Sequence, residues 1–106
     1  MATKTQSKKL PYVLIRSRDS GVHAGLLASR KSTPAGVEVT LLDSRRIWYW
    51  DGAASLSQLA TDGASNPVAC RFAVKLATID VIGVCEIIPC TDKASAMIVN
   101  CPEWKK

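Results

Sequence analysis

The sequence predicts an α+β fold that is mostly β: a single small domain with an antiparallel sheet or partial barrel of about five to six strands and two short helices. Two observations lead to this prediction. Runs rich in β-branched and aromatic residues dominate the chain and do not alternate with helices as βαβ units do. In addition, a length of 106 residues with 47% apolar and 22% charged content is typical of one globular domain.

The chain is basic, with a net charge of +5, and much of its positive charge lies in the first third. Residues 1–9 predict a basic polar tail, and residues 10–106 predict the β-rich domain. The tail lacks the apolar middle region of a secretory signal, and the most apolar stretch, 79–89, contains Asp80 and Glu86. We therefore expect a cytoplasmic protein with no membrane partner, whose charge attracts anionic or acidic partners.

The strand candidates are the segments dense in β-branched, aromatic or aliphatic residues: 10–18, 22–28, 37–42, 45–50, 70–76 and 79–88. The polar cluster 17–21 predicts the first turn, because Gly21 can take a positive φ there, and 29–36 predicts a loop. The third and fourth candidates are expected to pair as a tight hairpin around Asp43-Ser44. The last candidate is apolar on both faces, which is typical of a central strand.

Capping residues predict the two helices. Ser55 and Gln58 have the spacing of a capping box, and Gly63 suits the C-terminal end of a short helix. Thr91 is a second N-cap candidate, with Asp92 at the positive end of the helix dipole. Each helix has one apolar face, formed by Leu56, Leu59 and Ala60 in the first and by Ala94, Met97, Ile98 and Cys101 in the second.

The four cysteines and the single histidine do not have the pattern of a catalytic or metal centre. No two cysteines form a C-x-x-C pair, and their spacings match no common zinc module. His23 has no local Cys–His signature, the acidic residues form no tight pair, and the glycines form no phosphate-binding motif. We therefore predict reduced, mostly buried thiols, no metal, no cofactor and no enzymatic activity.

The segment 45–50 has the residue types of a ligand-binding site, because it holds three of the chain's six aromatic residues beside two arginines. An exposed tyrosine or tryptophan beside an arginine can stack on a nucleobase while the guanidinium holds a phosphate. Buried tryptophans, in contrast, are simply part of a core. The candidate ligand-binding residues are the aromatic and basic side chains of this segment with two arginines of the first strand and turn: Arg16, Arg18, Arg45, Arg46, Trp48, Tyr49 and Trp50.

The hairpin register decides which face of this segment is exposed, since side chains alternate along a strand. With a loop of about two or four residues, Trp48 and Trp50 lie opposite valines of the first arm and form a core face. Arg45 and Tyr49 then lie on a half-exposed face, with Arg45 at its rim. A loop of about three residues reverses both assignments.

The chain resembles small proteins of bacteriophages and prophages for which no activity is established. The resemblance is carried by Arg45-Arg46-Ile47-Trp48-Tyr49-Trp50, by Gly52-Ala53-Ala54-Ser55-Leu56-Ser57-Gln58-Leu59-Ala60, and by the following Gly63, Pro67 and Cys70. It extends from Tyr12 to Trp104. It implies a phage or prophage origin and a bacterial-cytoplasm setting, which agrees with reduced cysteines, and it brings no catalytic residues.

Two functions are expected from these observations. The first is a phage-encoded, non-enzymatic binding protein that acts in the cytoplasm of the infected cell. Its partner would be a host, defence or phage protein, a second copy of the chain, or an anionic ligand such as a nucleotide or nucleic acid. The second function is that of a virion structural or accessory protein, either capsid-stabilising or tail-associated.

Overall fold

The computed structural model describes residues 10–106, and the tail predicted over 1–9 lies outside the described residues. The elements follow in chain order as β1 (Tyr12–Ser17), β2 (Gly21–Thr33), β3 (Gly36–Tyr49), α1 (Leu56–Asp62), a 3₁₀ turn (Pro67–Ala69), β4 (Arg71–Phe72), β5 (Leu76–Pro89) and α2 (Asp92–Asn100). The predicted α+β, mostly-β class with two short helices is confirmed.

The strands form one antiparallel sheet that curls into a ring. Its order is β2-β1-β5-β3-β4, and β2 also pairs with β3. As a result β1, β2, β3 and β5 follow one another around a closed circuit, while β4 extends the sheet beside the end of β3. Closure leaves most strand edges paired, which protects them from adding strands of other chains.

Two hydrophobic clusters pack against the sheet, one on each face. Strand β1 contributes to both, because Val13 and Ile15 point to one side and Leu14 to the other. The first cluster fills the ring with Val13, Ile15, Val39, Leu41, Val81 and Val84. The second lies where the helices pack on the sheet, and its largest members are Leu14, Ile47, Leu59, Phe72 and Ile98. We call these the ring cluster and the helix-side cluster.

The hairpin predicted at Asp43-Ser44 is wrong, and so is the loop predicted over 29–36. β3 runs unbroken through Asp43, and the hairpin instead joins β2 to β3 after Thr33. Asp43 has a φ of 50°, and the pair Asp43-Ser44 lies opposite the single residue Gly25. Turn-type residues are therefore used here in a β-bulge, which bends a strand without ending it.

Both helix predictions are confirmed, including their caps. The Ser55 hydroxyl accepts a hydrogen bond from the backbone N–H of Gln58 at 3.1 Å, and Gly63, with a φ of 75°, ends α1. The Thr91 hydroxyl accepts from the N–H of Ala94, also at 3.1 Å, at the start of α2. In residues 10–106, no helix has the length and apolar character needed to span a membrane.

Candidate functional site

Three large aromatic side chains lie exposed together near the end of β3. Trp48 is 60% exposed, Tyr49 49% and Trp104 42%. The rings of Trp48 and Trp104 are stacked, with centroids 5.2 Å apart and an interplanar angle of 11°. The guanidinium carbon of Arg71 lies 5.2 Å from each tryptophan ring centre and 5.9 Å from that of Tyr49. We call these four residues the aromatic–arginine surface.

A second β-bulge explains how two consecutive residues reach the same surface. Ile47 pairs with Phe72 and Tyr49 pairs with Arg71, so Trp48 is an extra residue between the two pairs. A bulge locally suspends the strict alternation of side chains. Trp48 and Tyr49 therefore both contact Arg71, although they are neighbours on one strand.

The chain after α2 carries Trp104 to the surface. The Trp104 backbone N–H donates to the Phe72 carbonyl oxygen at 2.9 Å, and Glu103 forms a parallel bridge with Phe72. The carboxylate of Glu103 accepts from the backbone N–H of Lys75 at 3.0 Å, and this hydrogen bond is the main reason that the pKa of Glu103 is lowered. The residues after α2 are thus held against β4.

Arg45 lies inside the protein, fully buried, and every one of its donors is used. Its five N–H groups donate to backbone carbonyl oxygens: Nε to Ala73 at 3.0 Å, Nη1 to Ile98 and Cys101 at 2.7 Å each, and Nη2 to Phe72 at 3.0 Å and Pro102 at 3.3 Å. Three of these carbonyls belong to the end of α2 and the residues after it. Arg45 therefore caps the C-terminus of α2, where the helix dipole favours a cation.

The register in which Trp48 lies on a core face and Arg45 at a half-exposed rim is wrong. At this point β3 pairs with β2 and β4 rather than with a hairpin arm of its own. Arg45 and Ile47 face the helix-side cluster as a result, and Trp48 faces outward. Since Arg45 has no free N–H group, it is assigned to the fold and not to ligand contact.

The other candidate residues lie at separate places on the sheet. Trp50 is half-buried against the helix-side cluster, and its Nε1 donates to the Ala53 carbonyl oxygen at 3.2 Å. Arg46 is exposed on β3, just before the aromatic–arginine surface. Arg16 is exposed and its Nε donates to the Glu86 carboxylate at 2.6 Å. Arg18 is exposed in the turn between β1 and β2.

Sequence reasoning missed Arg71 and Trp104. Both are distant from Trp48 in sequence and reach it only through the pairing of β4 with β3 and through the docking of the C-terminal residues. The segment 70–76 was a strand candidate, so Arg71 was on a predicted strand whose partner was not specified. Trp104 follows Pro102 in a polar context and carried no periodic pattern.

Exposed basic residues flank the aromatic side chains in sequence. Arg46 lies two residues before Trp48, and Lys105 and Lys106 directly follow Trp104. Glu103, the one acidic side chain of residues 101–106, accepts a hydrogen bond from the backbone N–H of Lys75. Its second oxygen lies 3.8 Å from the Lys105 ammonium. An open cavity of about 670 Å³ lies beside the tryptophans and is bordered by the largely exposed Val68.

The remaining reactive side chains lie apart from this surface or are buried. His23 is buried with its Nε2 3.1 Å from the Ser20 hydroxyl, and its pKa is lowered by burial and then by Arg46. The four cysteines are free thiols; Cys70 and Cys101 are buried, Cys90 is half-buried and Cys85 is exposed. Within residues 10–106, no three metal-ligating side chains come together. What the aromatic–arginine surface offers is ring stacking beside a positive charge.

Comparison with known proteins identifies the family of the chain. No curated protein and no solved structure matches the chain. The family model of a domain of unknown function (DUF6948) matches residues 10–98. This range runs from before β1 into α2 and includes Trp48, Tyr49 and Arg71. The match covers most of the chain, and the protein therefore belongs to the DUF6948 family.

Proposed function

We propose that the protein is a non-enzymatic binding protein whose aromatic–arginine surface binds single-stranded nucleic acid in a phage-infected bacterial cell. One observation carries the proposal: Arg71 lies 5.2 Å from both rings of a stacked, exposed tryptophan pair. A single strand repeats a flat base beside a phosphate, and proteins that bind it combine aromatic rings with cations in the same way.

The exposure of the rings supports a stacking role. Two of the chain's three tryptophans and one of its two tyrosines are exposed here, although such residues usually lie largely buried. Stacking one base on an aromatic side chain contributes about 1–3 kcal/mol and needs no particular sequence. Trp48, the extra residue of the bulge, and its neighbour Tyr49 offer two rings beside Arg71, which suits two adjacent bases better than one nucleotide.

Charge favours a polyanion over a neutral aromatic ligand. Arg71 supplies a cation beside the rings, Arg46, Lys105 and Lys106 lie within two residues of Trp48 or Trp104 in sequence, and the chain as a whole carries a net charge of +5. Arginine can hold a phosphate with two parallel hydrogen bonds, and clustered cations release counterions from the nucleic acid. A duplex hides its base faces by internal stacking, so we expect unpaired strands to bind more tightly.

The resemblance to phage and prophage proteins supports the proposed cellular setting. A basic binding protein made in an infected bacterium meets abundant single-stranded nucleic acid during transcription and replication.

A titration with short oligothymidylate tests the proposal. We expect saturable quenching of tryptophan fluorescence, because bases stack on Trp48 and Trp104, and a dissociation constant that rises with salt. The logarithm of the association constant should fall linearly with the logarithm of the salt concentration, with a slope of about −0.7 for each phosphate contacted. Trp48→Ala and Arg71→Gln should each weaken binding roughly tenfold, which corresponds to about 1.4 kcal/mol.

Arg30→Gln is the matched control, because it also removes one exposed positive charge. Arg30 lies near the end of β2, close to the hairpin that joins β2 to β3. The substitution should change affinity little at moderate salt. Two results would contradict the proposal: no binding of any oligonucleotide at low salt, or an equal loss of affinity in Arg71→Gln and Arg30→Gln. The second result would mean that net charge alone attracts the strand.

The exposed rings and Val68 also form an apolar patch of the kind that docks on proteins, which favours a second candidate function as a virion component. In that case the polypeptide should occur in purified phage particles in stoichiometric amounts. Mass spectrometry of particles that finds none of it would remove this second candidate, and leave binding within the cell.

A further inference from the structure

Two buried thiols lie side by side beneath the aromatic–arginine surface. Cys70 and Cys101 are each 5% exposed. The Cys70 thiol donates to the carbonyl oxygen of Asn66, and the Cys101 thiol donates to that of Pro67, both at 3.5 Å. The Pro67 carbonyl oxygen also accepts from the backbone N–H of Cys70 at 3.1 Å, so Cys70 and the Cys101 thiol share one acceptor within the helix-side cluster. After burial, the Cys70 thiol is the next cause of the raised pKa of Cys101.

Each thiol belongs to a segment that supplies part of the surface. Cys70 directly precedes Arg71 and borders the open cavity beside the tryptophans. Cys101 ends α2, its carbonyl oxygen is bound by Arg45, and the chain then leads to Trp104. A covalent bond between the two sulfur atoms would thus tie together the segments that carry Arg71 and Trp104.

We propose that Cys70 and Cys101 form a reversible disulfide by exchange with a small disulfide such as oxidised glutathione, and that this bond rearranges the aromatic–arginine surface. The effect on ligand binding rests on the proposed function. Formation of the bond and the change in the surface do not.

The exchange proceeds in two balanced steps. The Cys70 thiolate, after losing its proton to solvent, attacks one sulfur of oxidised glutathione, which releases one glutathione thiolate and leaves a mixed disulfide at Cys70. The Cys101 thiol loses its proton and attacks the Cys70 sulfur, which releases the second glutathione. Two protein thiols are oxidised, and one external disulfide is reduced to two thiols. Cys70 is the entry point because it borders the cavity.

The bond changes the geometry at the surface. A disulfide holds its sulfur atoms about 2.05 Å apart, so both thiol–carbonyl hydrogen bonds to Asn66 and Pro67 are lost. Closing the bond draws Cys70 and Cys101 together, and we expect the adjoining Arg71 and the segment that leads to Trp104 to move with them. We therefore expect the stacking of Trp104 on Trp48 to change.

The test uses the full chain with Cys85→Ser and Cys90→Ser, so that only the pair remains, after its thermal midpoint is checked against that of the natural sequence. Folded protein is incubated with oxidised glutathione and analysed by intact mass and peptide mapping. We expect a cross-link between Cys70 and Cys101, a mass loss of two hydrogens, and no retained glutathione. Adding Cys101→Ser to this background should stop the reaction at a glutathione adduct on Cys70.

Two further readouts follow the surface. Stacked tryptophans give an exciton couplet in far-ultraviolet circular dichroism, and oxidation should change its amplitude. Oligothymidylate affinity should differ roughly fivefold or more between the reduced and oxidised forms, about 1 kcal/mol. If the reduced protein does not bind nucleic acid, the proposed function fails, whereas the mass and dichroism readouts still decide this proposal.

Three results would overturn the inference: both thiols stay free in the folded protein while denatured chain forms the bond, a glutathione adduct persists on Cys70 although Cys101 is present, or the disulfide forms and leaves the couplet unchanged. The natural sequence, mapped by the same peptides, provides a check that does not depend on the serine variants.

Discussion

The guanidinium carbon of Arg45 lies 5.6 Å from the ring centre of Phe72, and Nη2 of Arg45 donates to the Phe72 carbonyl oxygen at 3.0 Å. The same arginine holds the carbonyls that end α2. One side chain of β3 thus links β4 and the C-terminal helix to the sheet. Hydrogen bonds from its guanidinium to backbone carbonyl oxygens stabilise the fold here, as a disulfide or a metal does in other small domains.

Replacing Arg45 by methionine should destabilise the protein by about 3–5 kcal/mol, because carbonyl groups that it satisfies would be left buried without donors. Arg45→Lys should also destabilise it, since one ammonium cannot serve five acceptors in a plane. Urea denaturation measures both. Arg46→Met, at the exposed neighbouring position, is the control and should stay within about 0.5 kcal/mol of the natural sequence. Equal stability of Arg45→Met would contradict the assignment.

Gly25→Ala should destabilise the protein by about 1–3 kcal/mol through overpacking. A Cβ at this position would lie 3.0 Å from the Leu42 carbonyl oxygen and 3.2 Å from the Ser44 Cα, where the bulge of β3 crosses close to β2. Backbone atoms cannot move aside as a flexible side chain can. An unchanged denaturation midpoint would show that the bulge relaxes freely.

Stability should fall as the pH drops below 6.5, because of His23. Burial and then Arg46 lower its pKa below the ordinary value of 6.5, so the unfolded chain binds the proton more readily than the folded one. The contribution is fully present above pH 6.5 and is lost as the pH falls towards the lower folded pKa. Urea denaturation across this range measures it, and His23→Gln should flatten the profile. A parallel decline in His23→Gln would assign the effect to other groups.

Trp104→Ala should abolish the exciton couplet of the tryptophan pair, and loss of the ring contact should lower the free energy of unfolding by about 0.5–1.5 kcal/mol beyond the effect of the lost buried area. Circular dichroism and urea denaturation on one preparation give both values. Trp50→Phe is the matched control, because Trp50 packs on the helix-side cluster and is not part of the stacked pair. A couplet that survives Trp104→Ala would mean that the two rings are not stacked in solution.

Local chemistry could be read from the sequence, and long-range pairing could not. Ser55 and Thr91 cap helices by bonds to residues three positions away, so their patterns predicted both helices correctly. Asp43 misled the prediction because a residue that tolerates a positive φ serves a turn and a bulge equally well. Only the partner strand, with Gly25 opposite, distinguishes the two cases.

Two of the four residues of the aromatic–arginine surface were predicted, because their pattern is local. Trp48 and Tyr49 were identified from their own segment. Arg71 and Trp104 enter through strand pairing and through C-terminal docking, which no pattern in their neighbourhood encodes. The burial of Arg45 was likewise hidden, since its acceptors are backbone carbonyls, which every residue carries.

Closure of the ring has a consequence for how the protein is made. β1 completes the circuit by pairing with β5, and Arg16 meets Glu86 across that seam. During synthesis, the β2–β3 hairpin can form as soon as it leaves the ribosome, but β1 must wait for its second neighbour until β5 has emerged. The ring interior is therefore sealed late, and a nascent chain exposes its valines and isoleucines throughout translation.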